Sequence, residues 1–214
     1  MIELNEIQQA IHKQYPRYDL FMNEQDPQQL LMNYSDIHEI KEVISRRRIT
    51  INEMNDIYST DTFSPGIDYF AKWLSFFNKF SNLNKTMPTD TIEWVSVHLY
   101  SKYCHFYFAD LKVIFEQFLE TKRGKFYGSV DAVCIMSGFL HYDLDRKRIM
   151  DQAKEKLQAE KQVWYKNRLD ELHYEVYAEI EMKHPDWETE QKVAHREKVV
   201  RQRMQEEAQK QFPL

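Results

Sequence analysis

The sequence predicts an all-α protein: a compact helical domain followed by long charged helices at the C-terminal end. Three observations predict it. The 214 residues include only 4 glycines and 6 prolines, less than half the average share of about 12%, and a sandwich or barrel needs such residues at its many tight turns. The 13 Phe, 13 Tyr and 4 Trp supply large buried area, and through the middle of the chain they recur at helical spacing. Finally, residues 151–214 carry 14 acidic and 12 basic side chains, the composition of long solvated helix.

Taken in order, residues 3–15 read as a short helix, with Leu4, Ile7, Ala10 and Ile11 three or four apart. Asp26-Pro27 sets an N-cap before a proline at the first helical position and opens a helix through Leu30 and Leu31. Asp36 opens a third, with Ile37, Ile40, Val43 and Ile44 on one side and Arg46-Arg47-Arg48 at its end. Thr50 to Tyr58 holds a further turn or two, and 59–64 is a loop. Ser64-Pro65 opens a helix over 65–82 with Ile67, Phe70, Leu74, Phe77 and Phe80 inward. After Pro88-Thr89-Asp90, a helix covers 91–103 through Ile92, Val95, Leu99 and Tyr103. Asp110 begins the next, carrying Leu111, Ile114, Phe115, Phe118 and Leu119, and Lys122-Arg123-Gly124 stops it with cations and a glycine. Residues 124–129 form a turn or small hairpin, and another helix covers 130–142, with Asp143 and Asp145 as caps before Arg146.

Beyond that point Ile149, Ala153, Leu157, Trp164, Leu172, Val176 and Ile180 form one apolar stripe. His184-Pro185-Asp186 breaks it, and Asp186 caps a last helix to about Gln211. Glu179/Lys183, Glu188/Lys192, Glu197/Arg201 and Glu206/Lys210 are spaced as supportive pairs one turn apart. The apolar face of the last helix, Trp187, Val193, Val200 and Met204, is thin. That helix therefore reads as an arm, solvated or awaiting a protein partner, with Trp164, Trp187, Val193, Val200 and Met204 as the binding residues. The expected organisation is one domain, made of short helices over 1–63 and an aromatic-rich core over 64–149, then a charged helical extension over 150–214.

Several functions are excluded. The net charge of −5 provides no global basic field for non-specific duplex binding. Cys104 and Cys134 are too few for a disulfide framework and fit a reduced cytosol. No apolar leader opens the chain, and no run nears the about 18 apolar residues of a membrane span. The expected location is the cytoplasm, with no membrane contact. Gly124-Lys125-Phe126-Tyr127-Gly128 is one residue short of a P-loop and lacks its Lys-Ser/Thr, and no three glycines are close enough for a dinucleotide fingerprint. His98, Cys104, His105, Cys134 and His141 lack metal-ligand spacing, and His38-Glu39 lacks the second histidine of a zinc helix. Glu171, Glu175 and Glu179 form a helical row suited to a solvated face rather than opposed carboxylates in a cleft. Neither catalysis nor a cofactor is expected.

Basic residues interleaved with aromatics carry the chemistry that remains. Lys122, Arg123, Lys125, Phe126 and Tyr127 make a loop able to track a phosphate backbone and stack a base. Arg146, Lys147 and Arg148 follow one helix later, and Arg46-Arg47-Arg48 is a third cluster.

The order of residues over 91–148 is familiar: Ile92, Tyr100, Phe106 to Phe108, Ala109-Asp110-Leu111-Lys112, Phe115, Gly124 to Gly128, Asp131, Tyr142 and Arg146, preceded by Trp73 and Phe77. It resembles a family of helical proteins from Bacteroidetes and their phages and mobile elements. The resemblance spans about 64–150, and its loop departs from the family pattern in placing the second glycine after Tyr127 and before Ser129. It implies a phage or mobile-element setting, where small helical proteins serve replication. By analogy of architecture, the chain is similar to helicase loaders that lack an ATPase. The expectation is a non-enzymatic replication accessory that binds a replicative helicase through its C-terminal helices and single-stranded DNA through the basic loop. The alternative is a virion or assembly protein acting through helix-mediated contacts.

Overall fold

The computed structural model describes residues 4–46, 49–81 and 83–212. The protein is all-α and 76% helical, with ten helices and no strands among the described residues. It divides into two units, Met1–Met150 and Asp151–Leu214.

In the first unit, local capping chemistry sets most helix starts. Asn5 and Gln8 form a reciprocal capping box at α1 (Glu6–Gln14), and Thr50 and Glu53 form one at α5 (Ile51–Tyr58). Helix α2 (Tyr18–Gln25) has no side-chain cap and was not expected from the sequence; it is held by burying Phe21 and Met22. Asp26 caps α3 (Pro27–Asn33), accepting from the N–H groups of Gln28 and Gln29 at 2.7 and 3.1 Å. Helix α4 (Ile40–Ser45) starts four residues later than Asp36 suggested. The cause is that Glu42 accepts from the His38 and Glu39 N–H groups, while Asp36 pairs with Arg46. Arg47 and Arg48 lie outside the described residues.

The core gathers around α8 (Phe108–Leu119), which buries nine of its side chains, from Phe108 through Phe115 and then Phe118. Helix α6 (Pro65–Phe80) turns Tyr69, Phe70, Trp73, Leu74 and Phe77 inward, and Trp73 stacks on Phe115 with ring centroids 5.0 Å apart. Helix α7 (Thr89–Tyr103) crosses α6 closely: a Cβ on Gly66 would lie 2.2 Å from the Tyr100 ring. Gly138 likewise admits the Phe118 ring, 2.3 Å from where its Cβ would be.

The helix expected over 130–142 does not stop there. It runs on as α9 (Ala132–Lys183), 52 residues long. Asp143 and Asp145 are therefore not caps but mid-helix carboxylates, each neutralised by nearby cations. Lys147 sits 2.7 Å from Asp143, and Arg123 and Arg148 sit 2.7 and 3.3 Å from Asp145.

The second unit is a helical hairpin. Residues 151–160 are exposed throughout. Further on, α9 buries Leu172, Val176 and Ile180 against Val200 and Met204 of α10 (Thr189–Gln211), with Trp164, Trp187 and Val199 packed at the margin. The expected free arm is thus corrected: α10 folds back on α9. Its thin stripe suffices because both helices contribute, and charges span the seam. Arg203 grips Glu179 with two bonds of 2.8 and 2.9 Å, Arg168 binds Glu207 at 2.6 Å, and Lys192 reaches Glu181 at 2.9 Å rather than Glu188. Glu188, not Asp186, is the N-cap of α10. No helix among the described residues is long and apolar enough to cross a membrane.

Candidate nucleic-acid interface

The connection from α8 to α9 is built to hold one ring in and one ring out. After Leu119 the chain turns through Thr121 (φ 59°) and Gly124 (φ 138°). At Gly124 a Cβ would also press on the Cys134 Sγ, at 2.7 Å. The loop is then pinned to the α6–α7 connection: Lys85 N–H donates to the Gly128 carbonyl and Val130 N–H donates to the Lys85 carbonyl, both at 3.0 Å. Phe126 turns inward, its ring 5.3 Å from Phe77 and 5.6 Å from Phe118. Tyr127 turns outward and is 88% exposed. Asp131 receives the Cys134 N–H at 2.9 Å and so caps the first turn of α9.

Beside this loop lies an open groove of about 530 Å³, lined by Lys122, Arg123, Gly124, Cys134, Ser137, His141, Leu144 and Asp145. Arg123 is its structural brace. Its guanidinium donates to Gln117 at 2.6 Å and to Asp145 at 2.7 Å, and lies 5.4 Å from the Tyr142 ring centroid. Arg148 approaches Asp145 from outside. Lys122 is exposed and paired with Glu120, a contact worth about 0–1 kcal/mol at the surface and readily exchanged. The Cys134 thiol is pushed above its ordinary range, first by burial and then by the Asp131 charge, which disfavours a reactive thiolate.

Arg146 belongs to the interior. It is 5% exposed and binds Asp110, itself fully buried. Asp110 Oδ1 accepts from Tyr142 Oη at 2.7 Å and Arg146 Nε at 3.2 Å, while Oδ2 accepts from the Tyr107 N–H at 2.8 Å. The Arg146 guanidinium also lies over the Phe106 and Tyr107 rings. Burial raises the Asp110 carboxyl above its ordinary range, and the Arg146 charge and the hydrogen bonds only partly offset this. Tyr142 is raised well above its ordinary value by burial and by the Asp110 charge. A second buried cation, Lys112, donates to the Ile37 carbonyl and to Glu116; nothing in the sequence marked it except its place after Asp110.

The expected basic cluster is therefore split. Consecutive residues on a helix point about 100° apart, so Arg146 enters the core and Lys147 turns to Asp143, which His105 also approaches. Arg148 alone of the three borders the groove through Asp145. With Arg123 and Phe126 also engaged inside, the loop offers Lys122, Lys125 and Tyr127 outward. Of the residues expected to meet a protein partner, Val200 and Met204 are 3% and 7% exposed, Trp164 and Trp187 are packed, and Val193 remains at the surface. The hairpin also presents an open groove of about 810 Å³, lined by Val200 and Met204 together with Tyr165, Leu169 and His173. Among the described residues, no group of three His, Cys, Asp or Glu side chains could hold a metal ion.

No family model, curated protein or solved structure matches the chain, so its function rests on its own geometry.

Proposed function

We propose that this chain is a non-enzymatic adaptor of phage or mobile-element DNA replication that contacts single-stranded DNA with its 122–128 loop and a protein partner with its C-terminal hairpin. The observation that carries the reading is the outward Tyr127 ring on a loop anchored by Phe126 and two backbone bonds, with exposed Lys125 beside it, Lys122 lining the adjacent groove and Arg148 paired to the groove's Asp145. A loop whose backbone is already anchored lowers the ordering cost of stacking a base on its outward ring, and flanking cations meet the phosphates. The partner, a replicative helicase in this reading, lies along Tyr165, Leu169 and His173, where the hairpin's own core leaves apolar surface open.

The test is fluorescence anisotropy of a labelled oligothymidylate with the full chain over a salt series. Tyr127→Ala is expected to weaken binding by about 1–3 kcal/mol. Lys122→Ala with Lys125→Ala is expected to lower the slope of log K against log salt by about 0.7 per cation. Arg123 and Arg146 are excluded from the series because their loss would disturb folding. Wild-type affinity in both variants, or no salt-dependent binding, refutes the DNA contact. A second reading, a virion or assembly protein, draws support from the exposed Tyr174 and Met182 on the hairpin; co-purification with particles at fixed stoichiometry would favour it.

A further inference from the structure

The first unit holds a second cleft, away from the basic loop. Its volume is about 520 Å³, within the range of about 300–1,000 Å³ of small-ligand sites. Phe21, Tyr34 and Phe108 form its floor, all buried. Phe21 stands edge-on to Tyr15 at 5.7 Å and to Phe108 at 5.6 Å. Ile7, Ile11 and Ile49 supply an apolar wall.

Charge distinguishes this cleft. Two carboxylates line it, Glu24 and Glu53, together with the amides Gln14 and Gln25, and its described lining includes no lysine, arginine or histidine. Each carboxylate is held by hydrogen bonds to one oxygen. Tyr15 Oη donates to Glu24 Oε2 at 2.5 Å, and Thr50 donates to Glu53 Oε2 through its N–H at 2.7 Å and its hydroxyl at 2.9 Å. Aromatic faces attract cations through their quadrupole, most strongly when partly desolvated. Fixed carboxylates beside an apolar wall complete a site for a positive charge on an aliphatic stem.

We propose that this cleft binds an aliphatic ammonium or guanidinium group, its stem along Ile7, Ile11 and Ile49 and its charge between Glu24, Glu53 and the rings. Two sources carry that chemistry: a free diamine, or the side chain of a lysine or arginine in a peptide.

The experiment is an NMR titration of the full chain with isoleucine methyl labels. The probes are 1,5-diaminopentane and N-acetyl-lysine methylamide; pentanol and pentanoate are the controls. Saturable shifts of the Ile7, Ile11 and Ile49 methyls are expected with a cationic probe and not with either control. A response to the diamine alone identifies a free amine, and a response to the lysine derivative identifies a peptide side chain. Glu24→Gln and Glu53→Gln should each weaken binding about fivefold, the effect of one unit charge near 4 Å in a watery environment. Both variants should fold, because Glu24 is exposed and glutamine also serves at the third position of a capping box; unchanged helicity and melting temperature check this. Absence of shifts with both cationic probes overturns the proposal. So does an equal response to pentanol or pentanoate, or full binding in the double Gln variant.

Discussion

Removing the Arg146 side chain is the sharpest probe of how the first unit is held. In Arg146→Leu the Asp110 carboxylate stays fully buried and loses the one cation paired with it among the described residues. Breaking a buried pair from one side costs about 3–5 kcal/mol. Tyr142 Oη and the Tyr107 N–H remain as donors, which places the loss near the lower end, about 3 kcal/mol. With a urea m-value of about 2 kcal/mol/M, the midpoint should fall by about 1.5 M. The pH dependence carries the diagnosis. The folded Asp110 carboxyl already lies above its ordinary 3.8, and losing Arg146 raises it further. A raised folded value means the folded state holds the proton more tightly. Acidification through that value toward 3.8 should therefore return part of the lost stability, and the variant should gain more than the wild type does. Adding Asp110→Asn to Arg146→Leu should leave a smaller deficit than Arg146→Leu alone. Urea unfolding followed by circular dichroism at pH 7 and pH 5 measures all of this. A loss below about 1 kcal/mol with no dependence on pH would refute the reasoning, and would return Arg146 to the residues available for DNA.

Further predictions concern packing, caps and acid. Gly138→Ala should destabilise by about 1–3 kcal/mol, because its Cβ would meet the Phe118 ring; the same urea assay reads it. Asp26→Ala should cost about 1 kcal/mol by freeing two N–H groups of α3. The carboxyls of Glu179, Glu181 and Glu207 are held below their ordinary range by Arg203, Lys192 and Arg168. Their stabilisation of the hairpin is present above the ordinary value of about 4.3 and fades as pH falls through the lowered values. In an acid titration by NMR, the indole signals of Trp164 and Trp187 should therefore broaden or shift before that of Trp73, which lies in the core of the first unit.

What the sequence made legible follows from how complete each local signal is. Helices α6, α7 and α8 show full apolar stripes, and Asp26-Pro27 states its own cap. Helix α2 was hidden because Phe21 and Met22 are adjacent rather than a turn apart. The length of α9 was hidden because two aspartates in the middle of a helix look like a stop. Their neutralisers include Arg123, distant in sequence and supplied only by the fold. Reading Arg146-Lys147-Arg148 as one patch failed for a geometric reason, since a helix sends neighbours to different faces. Within the loop, nothing local distinguishes Phe126 from Tyr127; the Phe77 and Phe118 rings decide which goes in. The carboxylate cleft was invisible because its residues lie scattered between Ile7 and Phe108.

The bare stretch of α9 has a thermodynamic consequence. Starting a helix in water costs about 4 kcal/mol, while each added residue near-balances. Residues 151–160 have no buried side chain and only exposed ion pairs, Lys154 with Asp151 and Lys156 with Glu160. That segment gains little from packing and inherits its first turn from the ordered helix on either flank. Its helicity is thus conditional: melting the hairpin or the helical domain exposes a new fraying end, from which the decade can unwind. Amide exchange there should report on the integrity of both units, making this featureless run the chain's own gauge of cooperativity.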